Sequence, residues 1–148
     1  TMKSKGKLSK SRRGSYRISK NILISFRYAF NGIKYTFRNS RNFKIQVLFA
    51  FFSLILGSIF QLVKSDYLIL LLTIFSVLVL EIINTSIESL VDLVVKKKYS
   101  NLAKISKDCS AGAVLLASIN SVIIGVCLFI PKIKLLFLNW KRYVSSYR

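Results

Sequence analysis

Glu81, Asn84, Glu88 and Asp92 stand at i, i+3, i+7 and i+11 in a chain with only 5 acidic residues against 24 Lys and Arg. On a helix advancing 100° per residue, the three carboxylates share a narrow sector and Asn84 sits at its edge. Asp108 brings the acids between residues 81 and 108 to four of the five, inside or beside strongly apolar sequence. A charge at the centre of a membrane span costs at least ~2.5–3.5 kcal/mol on insertion scales, so such a seam points to function. The structural alternative is a set of ion pairs neutralising nearby lysines. Two chemistries suit carboxylates at different depths of one face. In phosphoryl transfer to a lipid hydroxyl, a deeper carboxylate takes the proton, a shallower one holds Mg²⁺ on nucleotide phosphates, and Lys neutralises the transferring group. In a proton or cation pathway, the same seam is a relay. Spacing does not separate them.

Several chemistries are excluded at once. The chain of 148 residues contains no His, which removes imidazole bases, His-ligated metals and Ser/His or Cys/His dyads. It contains neither GxxxxGK[ST] nor GxGxxG, so a site for phosphoryl transfer would be neither a P-loop nor a Rossmann type. Cys109 and Cys127, if on one helix, lie about 27 Å apart, too far for a disulfide.

The elements that position the seam follow from composition. A net charge of +19 combined with 53% hydrophobic residues fits neither a basic soluble nucleic-acid binder nor a disordered tail. It fits a one-domain membrane protein with basic flanks and no nucleic-acid partner. Residues 1–20 hold eight Lys/Arg and no acid. They are expected to form a basic, flexible arm attracted to anionic lipid headgroups rather than a signal peptide, because no apolar run follows directly. Residues 21–38 place Ile22, Phe26, Phe30, Ile33 and Phe37 on one helical face with charges elsewhere, the pattern of an amphipathic helix lying in the membrane interface. Three apolar stretches follow at about 47–63, 67–95 and 109–130, each long enough to span. Thirteen basic residues precede Val47, one lies in the first turn and five in the second loop. Positive-inside counting therefore expects N-terminus in, first turn out and second loop in. The tail at 132–148 carries five more cations on the expected outer side, in conflict with that count. Ala113, Ala117, Ser121 and Gly125, four apart, predict close helix packing on the third span.

The block Glu81-Ile82-Ile83-Asn84-Thr85-Ser86-Ile87-Glu88-Ser89-Leu90-Val91-Asp92 resembles the ExxNTxIExxVD signature of the prokaryotic diacylglycerol kinase family. Ala103 to Leu115 (AKISKDCSAGAVL) resembles that family's AKDxxAGAVL block. Ser25–Ile33 (SFRYAFNGI) and Arg41–Gln46 (RNFKIQ) are similar to its start and to its approach to the first span. The likeness covers residues 21–131 and leaves out the arm and the tail.

The resemblance implies an all-α integral membrane fold: an N-terminal interfacial helix and three transmembrane helices, built as a homotrimer with active sites shared between protomers. It implies an ATP-dependent kinase with Mg²⁺, phosphorylating diacylglycerol or undecaprenol, in a bacterial-type cell membrane with N-terminus and active site cytoplasmic. By position, Glu81 matches the general base, and Asn84, Ala111, Ser25 and Phe30 match lipid-binding positions. Asn21, Tyr28, Glu88, Lys107 and Asp108 match nucleotide-binding positions, Asn21 replacing a basic residue of the best-known members. Glu88 matches a metal ligand. The family's second metal-binding Glu falls on Ser40 here, with Asp92 as a candidate helper. The Arg41–Gln46 stretch looks closer to the undecaprenol branch, which leaves the acceptor open. The Ser40 departure motivates the alternative of a catalytically impaired paralogue acting as a basic membrane adaptor. A small transporter is the third reading.

Overall fold

The computed structural model describes residues 22–96 and 98–146, the side chain of Ser146 excepted. The expected basic arm and Asn21 lie outside the described residues. The described chain is all helix: α1 (Ile22–Asn39), α2 (Arg41–Ile59), α3 (Lys64–Val95) and α4 (Asn101–Ser146), with no strand among the described residues. Three of these, α2, α3 and α4, are long and apolar enough to cross a membrane, and the chain is a membrane protein.

Local chemistry explains each boundary. A single residue, Ser40, separates α1 from α2. Its backbone N–H bonds Thr36 O at 2.8 Å, and its hydroxyl accepts from Phe43 N at 3.1 Å as the N-cap of α2. That satisfies one of the orphan donors every helix start exposes. Thr36, 2% exposed, and an edge-on contact between Phe37 and Phe43 with ring centroids 6.3 Å apart seat the end of α1. The rest of α1's apolar face, including Phe26 and Phe30 at 70% and 67% exposure, touches no protein core.

α2 ends in a two-bond reversal, Leu62 N to Gly57 O at 3.0 Å and Gln61 N to Ser58 O at 3.2 Å. These are the 6→1 and 5→2 bonds of a Schellman cap. Gln61 takes the left-handed position, φ 48°, where Gly is usual. Just above the cap, α2 and α3 approach closely. A Cβ on Gly57 would meet Leu62 and Tyr67 at 3.3 Å, and Tyr67 Oη donates to Leu54 O at 3.0 Å. α3 closes with Lys96 at φ 47°.

α3 is the central strut, packed against α4 and α2. Leu70, Thr73, Val77, Glu81 and Asn84 are its buried residues, spaced three and four apart, so one stripe of the helix faces inward. The stripe changes character along its length, apolar near the α2–α3 turn and polar at the other end. With the apolar run of α3 entering near Tyr67, Glu81 sits about 21 Å along the helix and Glu88 about 32 Å. Against a ~30 Å hydrocarbon core, the first is inside and the second at its far edge.

At Gly125 the small-residue stripe of α4 meets no neighbouring helix within one chain, since a Cβ there would find nothing within 4 Å. The helix extends well past the third apolar stretch. α4 continues through Pro131, because proline costs one turn its hydrogen bond while the following Lys, Ile, Leu, Phe and Trp residues sustain a helix. Cys109 and Cys127 are both free, on this one helix.

Candidate active site

The polar end of the α3 stripe is wired to both neighbours. Ser40 Oγ donates to Glu81 Oε1 at 2.6 Å, and Gln46 Nε2 reaches Glu81 Oε2 at 3.4 Å. Glu81, 2% exposed, thus has each carboxylate oxygen facing a neutral donor, one from the α1–α2 junction and one from α2. One turn along, Ser110 Oγ of α4 donates to Asn84 Oδ1 at 2.6 Å, and Asn84 Nδ2 donates to Glu88 Oε1 at 3.1 Å. Glu81 and Asn84 are buried while Glu88 is exposed, so the seam runs from desolvated to wet.

Charge burial decides how this arrangement works. An isolated carboxylate inside the hydrocarbon region is costly, and hydrogen bonds to its oxygens offset part of that cost. A carboxylate offers about four lone-pair sites, so two donors leave room for a substrate proton. Gln46 Oε1 is buried with no hydrogen-bond partner, an acceptor waiting for a donor at the same place.

These groups lie at one end of a groove of about 660 Å³ between α2 and α4, floored by α3. Asn42, Gln46, Glu81, Asn84 and Glu88 line the polar end, and Ile45, Phe49, Leu78, Val114, Val122 and Phe129 line much of the rest. Its α4 wall, Ala111 to Phe129, extends about 27 Å. Ser121 and Gly125 of the small stripe, with Ser118, are part of that wall, so small side chains there leave the groove wide.

The structure therefore brings together Glu81, Asn84, Glu88 and Ala111, and sets Ser40 against Glu81. It does not bring Ser25, Tyr28 or Phe30 to the groove; all three are exposed on α1. Lys107 Nζ pairs with Asp92 Oδ1 at 2.6 Å across α3 and α4. Those side chains are 37% and 63% exposed, so the pair is weak and exchangeable. Asp108 is exposed beside it.

Sequence reasoning missed three relations: Ser40 as a donor to Glu81, Gln46 as the second donor, and Ser110 as the anchor of Asn84. Gln46 and Ser110 lie inside the matched blocks but carry no signature of their own, and the pairings span 41, 35 and 26 residues.

Among the described residues, no cluster of three His, Cys, Asp or Glu could cage a metal. That donor set still fits Mg²⁺, which keeps several waters and needs one or two carboxylates plus substrate phosphates. Glu88 is the exposed carboxylate at the groove's polar end.

The family model for prokaryotic diacylglycerol kinase matches residues 27–129. The diacylglycerol kinase of Synechocystis sp. is 44% identical over 120 residues, covering 81% of this chain and 69% of that protein. The undecaprenol kinase of Bacillus subtilis is 40% identical over 109 residues, covering 74% of this chain and 88% of that protein.

Proposed function

The chain belongs to the prokaryotic diacylglycerol kinase family, and from that premise we propose that it transfers the γ-phosphate of MgATP to the hydroxyl of a membrane lipid, diacylglycerol or undecaprenol. The observation that carries this reading is Glu81, a buried carboxylate held by Ser40 and Gln46 at the polar head of an apolar groove. Both acceptors present a hydroxyl at the end of a long apolar tail, and the groove is polar at one end and apolar along the rest.

In the proposed reaction the lipid hydroxyl sits at Glu81, with Gln46 Oε1 as the acceptor that orients it before transfer. Glu81 takes the proton as the lipid oxygen bonds the γ-phosphorus and the bond from that phosphorus to the departing ADP breaks. Ser40 and Gln46 hold the carboxylate in position. Asn84, pinned by Ser110, fixes Glu88, which would hold Mg²⁺ with the nucleotide phosphates. When bound, Mg²⁺ neutralises charge on the transferring group. Lys107 exchanges Asp92 for phosphate oxygens, and an exposed pair costs little to open. Asp108, Asn21 and Tyr28 belong to the nucleotide side of the reading, and Ser25, Phe30 and Ala111 to the lipid side. α1, exposed on its apolar face, lies in the membrane interface and meets the groove of a neighbouring copy in a homotrimer, which is how its residues come to substrate. The positive-inside count supports a cytoplasmic active site and N-terminus.

One observation favours a second reading. Ser40 is a hydroxyl where the family pattern has a carboxylate, and that hydroxyl is committed to capping α2 and bonding Glu81. An impaired paralogue acting as a basic membrane adaptor would retain the fold without turnover.

The test is transfer of labelled γ-phosphate from MgATP by purified protein in mixed micelles, with diacylglycerol and undecaprenol offered together. Label in a lipid is expected. Glu81→Gln is expected to reduce turnover by ~10²–10⁴ while oligomer size is unchanged. Full activity of Glu81→Gln would sink the base assignment. No label in either lipid from the folded oligomer would move the adaptor reading to first place.

A further inference from the structure

α4 is far longer than a span. Its 46 residues extend about 69 Å at 1.5 Å per residue, more than twice the ~30 Å hydrocarbon core. The uncharged run Cys109–Ile130 fills the core, so the helix from Pro131 to Ser146 continues some 22 Å past it, at the end opposite Lys107 and Asp108. This segment begins after the family match ends at residue 129 and takes no part in the catalytic reading.

Its apolar side chains are mostly sorted, with Leu135 and Leu138 the exceptions on the cationic side. At 100° per residue, Ile133, Leu136, Phe137, Trp140, Tyr143 and Val144 fall within one sector of about 120°, all of them between 48% and 65% exposed. Lys132, Lys134, Lys141 and Arg142 lie outside that sector, and the segment has no acid. Trp140 and Tyr143 stack at 6.5 Å between centroids. Lys141 Nζ lies 5.2 Å from the Phe137 ring centroid, its stem following the stripe while the charge stays at the edge.

A helix continuing straight out of the bilayer would leave this stripe in water. Lying flat would bury it, with Trp and Tyr at the depth that amphipathic rings prefer and the cations at headgroup level. Pro131 stands at the junction. It has no N–H for the Cys127 carbonyl, and its ring crowds that turn, so the helix bends there at little extra cost. We propose that Pro131–Ser146 is an amphipathic surface helix that docks on anionic lipid headgroups of the leaflet opposite the candidate active site. The partner is anionic because the segment carries four cations and no counter-charge. The same fact resolves the charge conflict at this end of the chain: the cations are membrane contacts rather than a topology signal.

Trp140 is the single tryptophan of the chain and reports on the segment directly. The full chain is reconstituted in phosphatidylcholine vesicles with and without phosphatidylglycerol, and Trp140 emission is read against acrylamide and against a lipid carrying a headgroup-level quencher. Docking predicts quenching by the lipid-borne quencher that rises with phosphatidylglycerol, together with protection from acrylamide. Each cation removed is expected to shift the docked-to-free ratio about fivefold on an anionic surface. K132Q/K134Q/K141Q/R142Q is therefore expected to abolish the phosphatidylglycerol dependence. Free quenching by acrylamide with none from lipid would overturn the proposal. So would protection from both quenchers, which means burial against a second copy. Lipid quenching equal in both vesicle types would overturn the anionic assignment.

Discussion

Ser40 and Gln46 decide what Glu81 can do, because a buried carboxylate works as a base only if its oxygens are hydrogen-bonded and aimed. Ser40→Ala removes a helix cap and a donor to Glu81 together. Loss of the cap is expected to cost about 1 kcal/mol, read as a lower Tm, and loss of the donor is expected to lower kcat with the KM for ATP unchanged. A fall in Tm with kcat intact would confine Ser40 to capping. Gln46→Leu deletes the second donor and the unpartnered acceptor. It is expected to raise the KM for lipid with the KM for ATP unchanged, measured by varying each substrate in mixed micelles. Equal effects on both substrates would mean that Gln46 supports structure and does not meet the acceptor.

The helices bring these residues together through junctions that tolerate little change. The α2–α3 reversal sets how deep the seam on α3 lies relative to α2, and it rests on Gln61 in the left-handed region and on the close approach at Gly57. A non-Gly residue in that region costs roughly 1–2 kcal/mol, part of which glycine returns as chain entropy. Gln61→Gly is therefore expected to stabilise the fold by up to about 1 kcal/mol, seen as a higher Tm in detergent. Gly57→Leu has the opposite sign. Leu62, Tyr67 and Leu70 already surround that position, and overpacking is expected to cost about 1–3 kcal/mol. A neutral Gly57→Leu would mean that α2 and α3 can separate without loss.

At the scale of the molecule, one chain buries few apolar side chains: Phe43, Leu70, Val77 and Val114 are its buried hydrophobics among the described residues. A water-soluble fold could not persist on so small a core, but a helix in lipid satisfies its backbone internally and needs none. What the chain builds instead is a groove, and its length carries a prediction. Gly125 lies about 21 Å along α4 from Ala111, beyond the ~15 Å of one leaflet. Gly125→Leu is expected to raise the KM for a long polyprenol while leaving a short-chain diacylglycerol unaffected, measured with matched acceptors in one micelle system. Equal penalties on both would mean that the tail does not follow the groove.

The sequence by itself determined the helices, the apolar spans and the register of Glu81, Asn84 and Glu88 on one face. Those are local properties: hydrophobic period, charge exclusion and 100° per residue act within a few turns. The family resemblance was legible for the same reason, since its blocks are contiguous. Only tertiary structure decided that Ser40 meets Glu81, that Gln46 stands opposite it and that Ser110 holds Asn84, because no local rule links residues that far apart. The small stripe on α4 shows the boundary clearly. Its spacing is a property of the helix, but whether it closes a contact or opens a groove depends on where α2 stands. Pro131 marks the other limit. Its local cost is one hydrogen bond, and whether that ends a helix is settled by the residues around it and by what the helix rests on.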